Sequence, residues 1–241
     1  MISIFRKLRK SLLSEGKTLR YVKYAVGEIV LVMIGILLAL QVNIWNETRK
    51  AQIAQKELLS NFLEDLNADS AEFVEYLDEL AQIIGVHEKL YGVRKGILSS
   101  TVIEKPQLLR GSIRYSSIVL TNNPDFAALI KDKELRKEIL DYFRLLFRLD
   151  NSYLQYDKVV KEVVRPYLAE NLSLNEDFLF DNPNEEKSPL MMDHFYEVIK
   201  RDDFGQVLFE TNLKARELVT VFENTLKANA QLQESIRKKI L

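Results

Sequence analysis

Residues 29–40 read IVLVMIGILLAL, and this run limits what the chain can fold into more than any other feature. Ten of its twelve residues are strongly apolar, with Gly35 and Ala39 between them. At roughly −0.3 to −0.6 kcal/mol each near a bilayer centre, they favour insertion by about 3 to 6 kcal/mol. Together with residues 24–28 and 41–45 the segment spans 22 residues. A helix of that length measures about 33 Å, against a hydrocarbon core of about 30 Å. Glu28, Gln41 and Asn43 lie near its ends, where polar groups cost less than at the centre. Tyr21 and Tyr24 on one side and Trp45 on the other carry the amphipathic rings that settle at membrane interfaces. The reading is a transmembrane helix over 24–45. A buried helix of a soluble core would not ordinarily follow a seven-cation arm. A cleavable signal needs small residues after the apolar run, and Gln41-Val42-Asn43-Ile44-Trp45 offers no such site.

Charge sets the orientation. Residues 1–24 hold Arg6, Lys7, Arg9, Lys10, Lys17, Arg20 and Lys23 against Glu15, a net of +6 in a chain whose total is −1. Seven Lys or Arg fall in 4–23 and three, Arg49, Lys50 and Lys56, in 46–65. The positive-inside rule then predicts a cytoplasmic N-terminus, with residues 46–241 outside the cytoplasm, in the periplasm if the cell is Gram-negative. In the arm, residues 1–23, Met1, Phe5, Leu8 and Leu12 share one helical face while Arg6, Lys7, Arg9 and Lys10 lie elsewhere. That pattern fits an amphipathic helix on the anionic inner leaflet, or a charged tail that only sets topology. Arg6, Lys7, Arg9, Lys10, Tyr24 and Trp45 are the expected interface anchors, and the bilayer is the expected partner. The near balance of 34 Lys and Arg against 35 Asp and Glu argues against nucleic acid.

Residues 46–241 read as an all-α domain, an antiparallel helical bundle with long helices. Leu59, Phe62, Leu66, Ser70, Phe73, Leu77, Leu80 and Ile84 recur at gaps of 3 and 4, a one-sided helix stripe. The first outer helix reaches about Tyr91 and either continues the membrane helix or kinks within the polar stretch 46–57. Gly92, Gly96, Pro106, Gly111 and Pro124 mark residues 92–124 as a connection, with one short helix over 106–118. A second long helix starts near Pro124 or Asp132 and runs to Glu170. Its stripe is Leu135, Ile139, Tyr142, Leu146, Leu149, Tyr153, Tyr156, Val160, Val163 and Tyr167, with Pro166 expected to kink or end it. Residues 171–189 read as a loop, 191–200 as a short helix, and 204–240 as a last long helix. The last helix sets Leu208, Ala215, Leu218, Phe222, Leu226, Asn229, Leu232, Ile236 and Ile240 on one side.

The chemistry is sparse. There are no cysteines, and His87 and His194 are the two histidines, which excludes thiolate and multi-His metal sites. No nucleotide-binding, zincin, nucleophile-elbow or EF-hand motif is present. Each histidine neighbours an acid in sequence, but adjacent helical residues point apart, so both read as structural, at the surface or partly buried. Between 57 and 79 there are eight acids and no Lys or Arg. Asp65, Asp69 and Glu72 share a face that reads as solvated, as facing basic residues such as Arg136, Lys137, Arg144 and Arg148, or as bridging a divalent cation. No catalytic, cofactor or metal role is assigned to any residue.

The membrane span is more informative. Glu28, Gly35, Ala39, Val42 and Asn46 share one face, and Gly35-x-x-x-Ala39 is the spacing that lets helices approach closely. Glu28, Gly35, Ala39 and Asn46 are the candidate membrane-helix interface, for self-association or for docking onto another membrane protein.

Gly27-Glu28-Ile29 through Gly35-Ile36, continuing into Gln41-Val42-Asn43-Ile44-Trp45-Asn46-Glu47, resembles the opening of a bacterial family of uncharacterised single-pass inner-membrane proteins. Ala128 to Leu135, with Ile139 and Asp141-Tyr142-Phe143, resembles a second block of that family. The resemblance implies an inner-membrane location and supplies no activity. The expected function is that of a non-enzymatic scaffold, assembly factor or accessory subunit of a membrane complex. The alternative is a periplasmic ligand-sensing module that signals through a partner.

Overall fold

The computed structural model describes residues 18–171, 173–180 and 188–240, and these are all-α with an isolated bridge between Leu174 and Leu190. The chain divides into two compact units, Met1–Leu58 and Leu59–Leu241. A single helix, α1 (Thr18–Arg94), runs through the polar stretch 46–57. Within the first unit its described large apolar side chains are mostly exposed. Ile29, Leu31, Leu38 and Trp45 are each 60–65% exposed. Among the described residues this is the one helix long and apolar enough to cross a membrane.

In the second unit α1 ends where glycine permits it. Gly96 takes φ of +71°, and the amides of Gly96 and Ile97 donate back to the carbonyls of Val93 and Gly92. This is the left-handed helix stop, and Leu98 folds onto the bare face of Gly92. The connection that follows is a packed strap. Ile103, Leu109, Ile113, Tyr115, Val119, Phe126 and Ile130 are all buried in it. The expected helix over 106–118 is instead a 3-10 turn, Pro106–Arg110, which ends where Gly111 is extended. A short helix, α2 (Ile118–Asn122), and another, α3 (Phe126–Leu129), come later.

The second long helix, α4 (Lys133–Val159), starts at Asp132, whose carboxylate accepts from the amides of Glu134 and Leu135 at 3.0 Å each. It passes through a π turn, Val160–Val164, into α5 (Arg165–Glu170). Pro166 has no amide to donate, and the wider turn before it lets the chain stay helical. The extra residue rotates the register. Val164 and Leu168 are buried where the 3.6 period pointed to Val163 and Tyr167, and Val163 is exposed. Three helices complete the chain: α6 (Asp177–Phe180), α7 (Met192–Val198) and α8 (Asp202–Ile240). In α8, Asp202 and Asp203 sit in the first turn and Arg237, Lys238 and Lys239 in the last, each matching the sign of its helix end.

The long helices meet through aromatic rings and one polar node. Phe62 stacks on Phe126 at 3.8 Å, and Tyr115 is edge-on to Phe222 and Tyr153 at 5.6 Å each. The buried Asn229 amide donates to the Leu66 carbonyl at 3.0 Å and to the Tyr142 hydroxyl at 2.8 Å, and its oxygen accepts from Gln233 at 2.7 Å. Asp132 pairs with Lys239, Tyr142 with Asn229 and Gln155 with Lys214, so rising positions of α4 meet falling positions of α8. A second core cluster includes Val86 and Leu90 of α1, Val164 and Leu168 beyond α4, and Phe195, Phe204 and Leu208.

Two buried tyrosines give opposite expectations. The Tyr142 hydroxyl is bonded, whereas the buried Tyr115 hydroxyl has no hydrogen-bond partner among the described residues. Tyr142→Phe should cost about 1 to 2 kcal/mol, and Tyr115→Phe should be neutral or stabilise by about 1 kcal/mol. Urea unfolding of the two variants checks this, and a larger loss for Tyr115→Phe would contradict it.

Candidate functional site

The acidic face of α1 divides once its surroundings are known. Asp69 is fully buried, one position before the Ser70 expected in the core. Its carboxylate accepts from Ser117 Oγ at 2.7 Å and from the amides of Ile118 at 2.6 Å and Val119 at 3.4 Å. Asp65 accepts from the side-chain amides of Asn122 and Asn123. These two acids hold the strap through hydroxyl and amide donors rather than the arginines and lysines of α4. Burial pushes the Asp69 carboxyl above its usual range, Glu72 adds to that, and the three donors oppose it. Among the described residues no group of three potential ligands is arranged to hold a metal.

A groove of about 660 Å³ lies between the last turns of α1 and the first turns of α8. Tyr91, Leu208, Phe209 and Leu213 form its apolar wall, and Arg94, Lys95 and Arg216 bring cations to it. Phe209 is 65% exposed, a large ring left open to solvent. Arg94 donates to Asp202 at 2.6 Å and to the Arg201 carbonyl at 3.3 Å. It lies flat on Gly205, where a Cβ would come within 2.8 Å of the guanidinium carbon. Arg216 pairs with Glu88 at 2.6 Å, and Lys95 sits 5.7 Å from the centre of the Tyr91 ring.

His87 closes the groove from beneath. It is fully buried, with the Asn212 side chain as its polar neighbour. Burial draws its pKa down to about 4, Arg216 pulls the same way, and the neighbouring Asn212 side chain opposes them. The ring is therefore neutral at pH 7. The sequence held the signal for this burial. His87 continues the seven-residue series Leu59, Leu66, Phe73 and Leu80, which faces the core. His194 is the surface histidine, its Nε2 lying 2.7 Å from the Asn171 carbonyl.

Glu28, Gly35, Ala39, Trp45 and Asn46, singled out in the first unit, all belong to α1. Gly35, Ala39 and Asn46 are exposed and Glu28 is half-buried. A Cβ added at Gly35 would meet nothing within 4 Å. Trp45 is 62% exposed, with the Arg49 guanidinium 5.8 Å from its ring centre. Tyr24 lies within α1 but its side chain is outside the described residues, as are Arg6, Lys7, Arg9 and Lys10.

The fold and these surfaces define an all-α chain with one long apolar helix and an apolar, cation-rimmed groove. Residues 28–118 match the model of a family of unknown function (DUF6090). The match takes in the block around Gly35 and Trp45 and stops before the block at 128–143. No curated protein and no solved structure matches the chain.

His87 makes stability depend on pH. Its folded pKa of about 4 lies below the ordinary 6.5, so the unfolded chain takes up a proton first as pH falls. The stabilisation is complete above pH 6.5 and is lost as pH drops toward 4, about 3 kcal/mol in all. His87→Phe should flatten the pH 4–6.5 part of the stability curve relative to the unsubstituted chain. Equal slopes for the two proteins would exclude His87 as the source.

Proposed function

We propose that this protein is a single-pass, membrane-anchored, non-enzymatic scaffold or accessory subunit. The observation that carries the reading is the apolar stretch of α1, whose large side chains from Ile29 to Trp45 are roughly half or more exposed to solvent. A soluble chain would not leave so long an apolar surface bare, whereas a bilayer covers it. The proposed organisation is a cytoplasmic arm over 1–23, a span over 24–45 and an extracytoplasmic domain over 46–241. That domain is a helical bundle in which α8 runs antiparallel to α1 and α4. Its pairs 66 with 229, 88 with 216 and 94 with 202 support the direction, as do those between α4 and α8. The basic arm favours an N-terminus in the cytoplasm, and the family resemblance of the block around Gly35 and Trp45 favours a bacterial inner membrane.

Within the membrane, Glu28, Gly35, Ala39 and Asn46 form the contact face for a second copy or another membrane protein. Gly35 leaves the backbone open to close approach, which is the use of small residues in membrane helices. A C-terminal alkaline phosphatase fusion should be active and a C-terminal fluorescent cytoplasmic reporter dark. The reverse pattern would overturn the topology. Gly35→Leu with Ala39→Leu should lower the oligomer mass in detergent, and an unchanged mass would remove this face from the account.

The groove over His87 favours a second reading, a module that binds an amphipathic ligand and signals through a partner. Its apolar wall and cationic rim suit a molecule with an apolar body and an anionic end. Phe209→Ser with Leu213→Ser should abolish binding of anilinonaphthalene sulfonate to the folded protein. Retained binding would set the sensor reading aside.

A further inference from the structure

Leu140, Phe147 and Leu154 stand seven residues apart on the outer face of α4, about 21 Å from first to last. They are 41%, 61% and 53% exposed. Large apolar side chains in single file at heptad spacing form the seam of a helix that packs on another helix. The seam's outer flank carries Lys137, Arg144 and Lys158, all exposed, and its inner flank carries Asp150. Arg144 pairs with Asp141 of the same helix and Lys158 with Glu162 of the π turn, and such exposed pairs exchange readily.

The complementary surface is on α1. Its outer face presents Ala71 and Val74 between Glu64, Glu75 and Asp78, all exposed, and no Lys or Arg occurs between 57 and 79. The two surfaces also lie at one level. Phe62 meets Phe143, and Val86 and Leu90 share a core cluster with Val164 and Leu168, so the two helices rise together. The seam of α4 therefore stands beside the acid-bearing stretch of α1, on a different side of the same unit. The two cannot meet within one chain, because each points away from the core.

We infer that the α4 seam docks on the outer face of α1 of a second copy. Phe147 enters the shallow gap over Ala71 and Val74, and Lys137 and Arg144 lie against Glu64 and Glu75. Copies inserted by the proposed membrane anchor share one direction across the bilayer and are concentrated in its plane. The contact is heterologous, one face against a different face, so it propagates into a ring or a row rather than stopping at a dimer. It is separate from the Gly35 face and rests on the anchor only for the common orientation.

The cysteine-free sequence allows a direct test in full-length protein. Phe147→Cys and Ala71→Cys variants are co-expressed, and isolated membranes are mildly oxidised. The mixture should yield several-fold more disulfide dimer than either variant alone. Adding Arg144→Glu to the first variant should reduce the yield, and Glu64→Lys with Glu75→Lys in the second should restore it. No excess of dimer in the mixture overturns the inference, as does a yield indifferent to both charge reversals. Dimer formed best by Phe147→Cys alone also overturns it, in favour of a symmetric seam. Alkaline carbonate extraction of the same membranes reads the anchor separately. Failed cross-linking in carbonate-resistant protein refutes the docking alone, and cross-linked protein that carbonate strips away refutes the anchor alone.

Discussion

Asn229 ties the three long helices together. A buried amide must spend both its donors and its acceptor, and here the partners come from three elements. Its two N–H groups reach the Leu66 carbonyl and the Tyr142 hydroxyl, and its oxygen accepts a hydrogen bond from Gln233. Gln233 in turn accepts from Arg237, which leads the network out to solvent. Apolar contacts alone would tolerate a slide of one helix past another, since Leu and Phe pack against many neighbours. The amide does not, because a one-turn slip strands polar groups in the core at about 1 to 3 kcal/mol each. The aromatic layer around Phe73, Tyr115 and Phe222 and the groove at His87 both sit at heights set by that register.

The strap depends on the same economy of polar groups. A connection this long would ordinarily run over the surface, because its backbone needs water. Here its apolar residues turn inward, because α1, α4 and α5 supply polar partners for its backbone. Asp69 takes the first amides of α2, the Tyr156 hydroxyl donates to the Gly111 carbonyl at 3.0 Å, and Arg165 donates to the Arg110 carbonyl. The acids of α1 thus divide by function. Those facing inward satisfy backbone and side-chain donors, and those facing outward remain as surface charge.

Much of this was legible in the residues. The stripe Leu59, Phe62, Leu66, Phe73 and Leu80 is the buried face of α1, and Asp132 is the N-cap of α4. The departures share a cause, which is that polar side chains took positions that a hydropathy pattern reserves for apolar ones. Asp69 displaced Ser70 from the core because the strap needed a carboxylate there. Thr225 is buried where Leu226 was expected, its hydroxyl returned to the Val221 carbonyl. His87 follows the heptad of its helix, and its chemical type hid it. The register shift at Val164 and Leu168 has a different origin, the π turn before Pro166, which a fixed 3.6 period cannot express. The groove was not legible at all, because it arises from residues more than a hundred positions apart.

The functional account joins two surfaces that the fold leaves uncovered, the apolar span of α1 and the outer faces of the helical unit. The proposal is that lipid covers the first and protein the second. The measurement that bears on this most directly is the native mass of the full-length protein extracted from its own membranes in mild detergent. The account predicts that the protein is found in the membrane fraction as an assembly whose protein mass exceeds the single chain's 28.0 kDa, through more copies or a stoichiometric partner. Recovery from the soluble fraction, or a lone 28.0 kDa species after gentle extraction, would contradict it.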